Sequence, residues 1–482
     1  MEIVLRDSDS LKSGVFVINN DRKEFYPFLH YQNIFLTQEE NISLKNEILK
    51  IINEAKSVLK ICSFIITDRE IFNAILTKAK QSQVAIFILT QLDPAKLENS
   101  LSIVDFVTEE ELKENPSRIH LKFIKQLYEN GIHVRASLSV HSKFIVSDRK
   151  KGFITSANFT TPSLKFNTES GVYLDESSSI ELDKLFDVIF QQGTTYKQFL
   201  GTRKKGKMLV VQSEVRINSK LLPQPTFSNL RFTCETYSNN LLDEIVNVID
   251  DAKEFVYLST YSIVGLNTLS VLIEAIKNAI DRDVSVSVFC RGMNYRNDHL
   301  EGVSMLRNIG CKIYADVYNH SKGVINEKSG LIFTANIDGN HGLTNGFEVG
   351  YILNNTQRLE FLDFHKRLID TAFYIFESKP TRSLLFQTYI AYEMIKGLNA
   401  PAYPQNLILS FKKAFNIHLD VLESNIIFYG RSKDGEFLIA GNSYFKCRLK
   451  ENSIQILESV KPRFDLEKYV LKFFELKIIE SL

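Results

Sequence analysis

A polar motif occurs twice in this chain, and the two copies constrain its fold more than any other feature. The first runs from Val140 to Leu174 (VHSKFIVSDRKKGFITSANFTTPSLKFNTESGVYL) and the second from Asn319 to Leu353 (NHSKGVINEKSGLIFTANIDGNHGLTNGFEVGYIL). Each contains His-Ser-Lys, an acidic residue seven positions after the His, an Asn within a Ser/Thr-x-Asn element, and a Glu 28 positions after the His. Polar residues at matched offsets inside otherwise apolar runs are unfavourable to bury unless they pair or react. Two such sets in one chain point to an enzyme.

The duplication extends upstream. Glu47–Lys56 matches Glu244–Lys253. Ile48, Ile51, Ile52 and Ala55 in one copy, and Ile245, Val248, Ile249 and Ala252 in the other, share the i, i+3, i+4, i+7 spacing of an amphipathic helix. Each helix leads into a β-rich run, Val58–Ile66 or Phe255–Ile263. A second helix follows (about 70–81 and 267–281), then a strand (Val84–Leu89 and Val284–Phe289). A third helix and strand lead into the motif. Strands alternating with helices predict an α/β sandwich in each half, a mixed sheet flanked by helices. Two copies make a domain duplication rather than a solenoid.

The expected plan has an N-terminal segment at 1–40, halves at 41–195 and 229–398, and a linker or hairpin arm at 196–228. Residues 358–398 read as helical. From 399 to 482 the composition shifts to short antiparallel strands (Ile426–Tyr429, Glu436–Ala440, Tyr444–Leu449, Ile454–Leu457) and a closing helix at about 465–479. This predicts a small α+β accessory domain that could recruit a protein partner.

At 482 residues the chain exceeds one ordinary core. A net charge of +1 gives no global attraction to polyanions, so any such binding rests on local patches. Cys62, Cys234, Cys290, Cys311 and Cys447 form no CxxC pair, and free thiols in a reducing compartment are expected. The charged start MEIVLRDSDSLK is unlike a signal peptide, and no apolar run of 18 residues occurs. A cytoplasmic protein is the expectation.

Alternation along a strand puts His141 with Lys143, and His320 with Lys322, on one face. Ser156 with Asn158, and Thr334 with Asn336, share a face in the same way. A hairpin turning at Asp148–Gly152 or Glu327–Gly330 brings the Asn near the His and Lys. Glu169 and Glu348 can accept a hydrogen bond from a His and fix its tautomer. This inventory suits a phosphodiester. Ammonium and amide groups hold the non-bridging oxygens, one neutral imidazole attacks phosphorus, and a second, protonated imidazole supplies the leaving oxygen. Lys and His supply the positive charge, so no metal or other cofactor is expected.

The pattern H-x-K-x4-D with a following S-x-N and Glu resembles the phospholipase D superfamily, over about residues 40–380. The resemblance implies a phosphohistidine on His141, with His320 as general acid. It also implies a phosphate clamp of Lys143, Lys322, Asn158 and Asn336 assisted by Ser156 and Thr334, with Glu169 and Glu348 orienting the histidines. The second copy departs at Glu327, where the family has Asp. That departure is the reason for placing the nucleophile in the first copy. Asp148 and Glu327 lie at an odd offset from the His and are expected to face away, in structural roles.

Other local patterns are weaker. Gly201–Met208 nearly spells a phosphate-binding loop but lacks the Ser or Thr after Lys207. His299 beside Asp298 has no partner at metal-ligand spacing. Arg291, Tyr295 and Arg296 follow a strand end, where α/β proteins keep substrate loops, and could contact a phosphate backbone or a base. Local basic segments favour nucleic acid, DNA or RNA, as substrate. A phospholipase or phosphatidyltransferase on membrane lipids is the alternative. An inactive module binding nucleic acid or lipid is a further one.

Overall fold

The computed structural model of the chain describes residues 2–4, 14–23, 30–38, 41–81, 83–92, 116–136, 140–192, 197–201, 208–212, 217–294, 296–380, 427–432, 435–440, 443–450 and 453–460, with Leu384 and Thr388. Each half builds one mixed sheet. In the first, Val58–Ser63, Ala85–Thr90 and His133–Ala136 are parallel neighbours. Helices Arg69–Gln81 and Pro116–Glu129 make the crossovers. Phe144–Ser147, Lys151–Thr155 and Glu169–Tyr173 extend the sheet antiparallel on the other side. The second half repeats the order with Phe255–Ser259, Ser285–Arg291 and Lys312–Asp316, then Gly323–Asn326, Gly330–Phe333 and Phe347–Ile352. The register repeats too, with Val58 opposite Ala85 and Phe255 opposite Ser285.

The chain is thus α/β, with two tandem sandwiches of the same topology. Helix Ser43–Glu54 buries Leu44, Ile48, Ile51 and Ile52, and helix Asn240–Asp250 buries Leu241, Ile245, Val248 and Ile249. The central strand Val58–Ser63 is buried along its whole length, as a strand covered on both faces must be. One apolar cluster lies under the outer helices of each half. A third joins the halves, with Phe144, Ile154 and Phe186 packed with Ile332, Phe347 and Phe361. Phe144 meets Phe347 edge-on at 6.2 Å between ring centroids. The halves therefore share a core and cannot be treated as beads on a string.

Three stretches differ from expectation or refine it. The helix expected over 358–398 spans Asn355–Asp370, opened by a capping box of Asn354 and Gln357. It is followed by a strand, Tyr374–Glu377, whose Tyr374 and Phe376 point inward on the edge of the second sheet. Most of 381–398 lies outside the described residues. Lys197–Gly201 and Met208–Gln212 form a hairpin that attaches to His133–Ala136, while the basic run Arg203–Lys207 lies outside the described residues. The C-terminal strands Ile427–Ser432, Gly435–Ala440, Ser443–Lys450 and Ser453–Val460 form an antiparallel meander. The helix expected at about 465–479 lies outside the described residues.

The N-terminal residues behave unlike a separate segment. Glu2–Val4 pairs with Ser453–Gln455 of the C-terminal sheet. Val15–Ile18 closes the edge of the second half's sheet against Tyr374–Glu377, and Phe35–Thr37 closes the first half's sheet against Glu169–Gly171. One short stretch thus ties three sheets. Among the described residues no helix is long and apolar enough to cross a membrane.

Candidate active site

The two motifs meet at the junction of the halves, and they do so crosswise. His141-Ser142-Lys143 lies just ahead of strand Phe144–Ser147 rather than inside it. Its backbone docks on the other half, with the N–H groups of His141 and Ser142 donating to Phe347 O at 3.3 and 2.9 Å. The second motif does the reciprocal thing. His320 N donates to Thr168 O at 2.9 Å, and Thr168 N donates to Tyr318 O at 3.0 Å. Each His-Ser-Lys therefore rests on the strand that carries the other half's Glu.

The side chains complete the exchange. His141 Nδ1 lies 2.6 Å from Glu348 Oε1, and His320 Nδ1 lies 2.8 Å from Glu169 Oε1. The remaining carboxylate oxygens are held from within their own halves. Thr334 Oγ1 donates to Glu348 Oε2 at 2.5 Å, and Ser156 Oγ donates to Glu169 Oε2 at 2.6 Å. Ser156 and Thr334 were expected to assist the phosphate clamp. Both are fully buried and their hydroxyl protons go to carboxylates, so they position the glutamates instead. Lys143 and Lys322 are fully buried, each donating its ammonium to the carbonyl of the His two residues before it. The amide oxygens of Asn158 and Asn336 are buried with no hydrogen-bond partner. Amide oxygen and nitrogen can exchange places by a flip, so each Asn has one polar atom available to a ligand.

Electrostatics separates the groups by proton. Burial, with Lys322 and Lys143 adding to it and Glu169 opposing, lowers His320 to about 4. Burial also lowers His141, against the pull of Glu348. Burial would raise the carboxyls of Glu169 and Glu348, but the facing His, the nearby lysine and the hydroxyl bond hold both below the usual carboxylate range. At neutral pH each pair is an ionised Glu with a neutral imidazole whose Nδ1–H faces the carboxylate, leaving a lone pair on Nε2. Desolvation brings Lys143 down to about 8 and Lys322 to about 7, with Glu348 and Glu169 opposing. With both lysines charged, two ammonium groups and two carboxylates cancel. An entering phosphodiester adds one negative charge, and protonation of one imidazole restores the balance. The histidines are not equivalent, since His141 is 28% exposed and His320 12%.

Asp148 and Glu327 sit away from this cluster. Asp148 accepts from the backbone N–H groups of Lys56, Ser57 and Val58 at 3.0, 2.7 and 3.2 Å, joining its hairpin to the start of the central strand. Glu327 accepts from Lys253 N at 2.8 Å in the equivalent turn. Because the acids do the same work in the two halves, the Asp-to-Glu difference gives no ground for telling the histidines apart. Arg291 is 2% exposed, not part of a solvated loop, and its guanidinium lies 5.3 Å from the Tyr261 ring centroid. Arg296 pairs with Asp298 at 2.9 Å. Tyr295 lies outside the described residues.

Phe64, Tyr261 and His120 were not singled out in the sequence. Phe64 meets His141 edge-on at 5.3 Å, and Tyr261 meets His320 edge-on at 5.0 Å. His120 and His299 are a second matched pair. Their Nδ1 atoms accept from Ile66 N and Ile263 N at 3.0 Å, and their Nε2 atoms face Gln91 O at 3.1 Å and Arg291 O at 3.0 Å. Both rings are engaged by backbone, and burial lowers both to about 4. They are neutral staples behind the site, which answers the metal-ligand question for His299. The signal for all four was present, because each follows its counterpart in the repeated βαβ pattern.

The family model described as cardiolipin synthase, PLD-like domain, matches residues 48–192. The chain is 24% identical over 265 residues to the virion nicking-joining enzyme of monkeypox virus, an alignment covering 47% of this chain and 62% of that protein. The chain thus spans less than two thirds of the relative's length. Among solved structures it is similar to phosphatidylserine synthase of Haemophilus influenzae Rd KW20, with 11% identity, TM-score 0.49, and coverage of 80% of this chain and 97% of that one. It is also similar to Nuc of Salmonella typhimurium, a phospholipase D family member, with 17% identity, TM-score 0.25, and coverage of 28% and 91%.

Proposed function

We propose that this chain is a metal-independent nuclease of the phospholipase D type acting through a phosphohistidine, a reading supported by the PLD-like family model over residues 48–192 and by the similarity to a nicking-joining enzyme. The observation that carries this is the crosswise pair of His–Glu contacts at 2.6 and 2.8 Å, flanked by two buried lysines. With each Nδ1 facing a carboxylate, the Nε2 atoms of both imidazoles are left for the two ends of an in-line displacement.

His141 is the nucleophile, the more exposed ring and the one with the shorter carboxylate contact. Its Nε2 lone pair attacks phosphorus while the bond from phosphorus to the leaving oxygen breaks. His320 Nε2, protonated as the anionic substrate enters, gives its proton to that oxygen. Lys143 and Lys322 neutralise the non-bridging oxygens, with Asn158 and Asn336 donating through their amides. Water then attacks the phosphohistidine, giving its proton back to His320, and the P–N bond breaks. If an alcohol takes the place of water, the same step joins rather than hydrolyses.

Nucleic acid as substrate is supported by the similarity to a nicking-joining enzyme. The cardiolipin synthase description of the matching family model supports phosphatidyl transfer as a second reading. The test is turnover in EDTA on single- and double-stranded DNA, RNA and phospholipid vesicles. Nucleic acid alone should be cleaved, with a covalent adduct trapped on His141. Turnover of vesicles alone would overturn the nuclease assignment. Full activity in His141→Ala or His320→Ala would overturn the shared site.

A further inference from the structure

Two aromatic rings at the site are not accounted for by packing. Phe64 and Tyr261 hold equivalent places, just past the central strand of each half, Val58–Ser63 and Phe255–Ser259. Each meets the histidine of its own motif edge-on, Phe64 with His141 at 5.3 Å and Tyr261 with His320 at 5.0 Å. Both rings are partly exposed, and neither packs into any of the three apolar clusters. A single exposed ring is ordinary on a protein surface. Two of them, at matched positions and each against a site imidazole, form a pattern that core packing does not explain.

The rings stand on backbone that is fixed alike in both halves. Ser63 Oγ donates to Ile65 O at 2.9 Å, and Thr260 Oγ1 donates to Ser262 O at 3.0 Å. Gln91 N donates to Phe64 O, and Arg291 N donates to Tyr261 O, both at 3.2 Å. The staple histidines His120 and His299 then hold Ile66 N and Ile263 N. A ring held this way loses little freedom when a ligand lies against it, so more of the contact energy appears as affinity.

The chemistry of the occupant follows from reach. A ring touching an imidazole that acts on phosphorus meets only the groups carried by that phosphate's own two ester arms. In a phospholipid those groups are glycerol and a small alcohol, which have no flat face. In a nucleic acid they are nucleosides, and every base has a flat face that stacks on an aromatic side chain. The surroundings also suit a base better than an acyl chain. Lys143 Nζ lies 5.9 Å from the Phe64 centroid, and the Arg291 guanidinium lies 5.3 Å from that of Tyr261, so each ring is the apolar part of a polar wall. We infer that Phe64 and Tyr261 are stacking platforms for the bases flanking the scissile phosphate, and that they make the site select nucleoside arms over glycerol arms. This rests on the nuclease reading and names what the site recognises in that substrate.

The test is calorimetric binding of methyl phosphate, glycerol 3-phosphate, 2-deoxyribose 5-phosphate and thymidine 5′-monophosphate to the full chain. None of these has a diester bond to cleave. Thymidine 5′-monophosphate should bind at least about fivefold more tightly than 2-deoxyribose 5-phosphate, which lacks only the base. The double variant Phe64→Leu, Tyr261→Leu keeps apolar bulk and removes both flat faces. It should bring that ratio to about one and leave methyl phosphate binding unchanged. Phe64→Tyr and Tyr261→Phe should each keep the ratio. Glycerol 3-phosphate binding as tightly as thymidine 5′-monophosphate would overturn the inference and favour a lipid arm. So would a ratio that survives the double variant. A double variant that weakens methyl phosphate as much as the nucleotide would mark the rings as structural and overturn it too. The two readings fail separately. A chain that keeps the ratio but cleaves no nucleic acid loses the nuclease assignment and keeps the platforms, whereas cleavage in EDTA without the ratio removes the platforms alone.

Discussion

Glu348→Gln tests the crosswise exchange directly. Glu348 Oε1 stands 2.6 Å from His141 Nδ1, in the other half of the molecule, and Thr334 holds Oε2 at 2.5 Å. The amide keeps the shape and loses the charge. With its oxygen still bonded to Thr334, its NH2 faces Nδ1 and drives the imidazole proton to Nε2, where the nucleophilic lone pair is needed. A hydrogen bond to a charged group contributes roughly 1.5–3 kcal/mol, and about 1.4 kcal/mol corresponds to tenfold in rate. The chemical step should slow by about ten- to 150-fold, and the His141 pKa should fall by about one to two units. Single-turnover kinetics reads the first, and NMR titration of the two imidazoles reads the second. The decisive comparison is between the histidines. His141 should move and His320 should stay, although His320 is the one in the same sequence motif as Glu348. A shift confined to His320, or a loss below about threefold, would refute the exchange.

Two other consequences follow from the proton inventory and the turns. Turnover should fall as pH rises through 7 to 8, where Lys322 and then Lys143 lose the charge that holds phosphate. Stability should move the other way. A lysine whose folded pKa lies below its unfolded value of about 10.4 favours the unfolded state while charged, so Tm should rise from about pH 7 toward 10, and a parallel fall of both would contradict the burial of these groups. Asp148→Ala should lower stability by roughly 0.5–2 kcal/mol through loss of its backbone bonds, as for a helix cap, and a loss of kcat larger than its effect on Tm would show that the acid reaches the chemistry.

The repeated motif made the residues of the site legible, and the helical and strand periodicities made the two sandwiches legible. What the spacing could not carry is partnership. Glu348 stands at a fixed offset from His320 but contacts His141, and in a two-fold arrangement the same offsets serve either pairing. The hydroxyls of Ser156 and Thr334 were misjudged for a related reason. Their alternation with Asn158 and Asn336 shows a shared face, not which neighbour takes the proton. The strand expected over Val284–Phe289 runs on to the buried Arg291, because its pairing with Lys312–Asp316 continues to that residue, and such pairing is not written in the spacing. The strands Glu2–Val4 and Val15–Ile18 are too short to show any period at all.

Those short strands set the order in which the molecule can be completed. They leave the ribosome before their partners, so Phe35–Thr37 waits for Glu169–Gly171, Val15–Ile18 for Tyr374–Glu377, and Glu2–Val4 for Ser453–Gln455. Each partner is made later than the last, so the chain's beginning is zipped up from its inner end outward as synthesis proceeds. Contacts between such distant parts of a sequence form slowly. A product that stops before residue 374 leaves an unpaired strand and an open sheet edge, surfaces that invite pairing with another chain. The N-terminal stretch is therefore a latch closed by segments made much later, and its closure reports that synthesis has passed the C-terminal sheet.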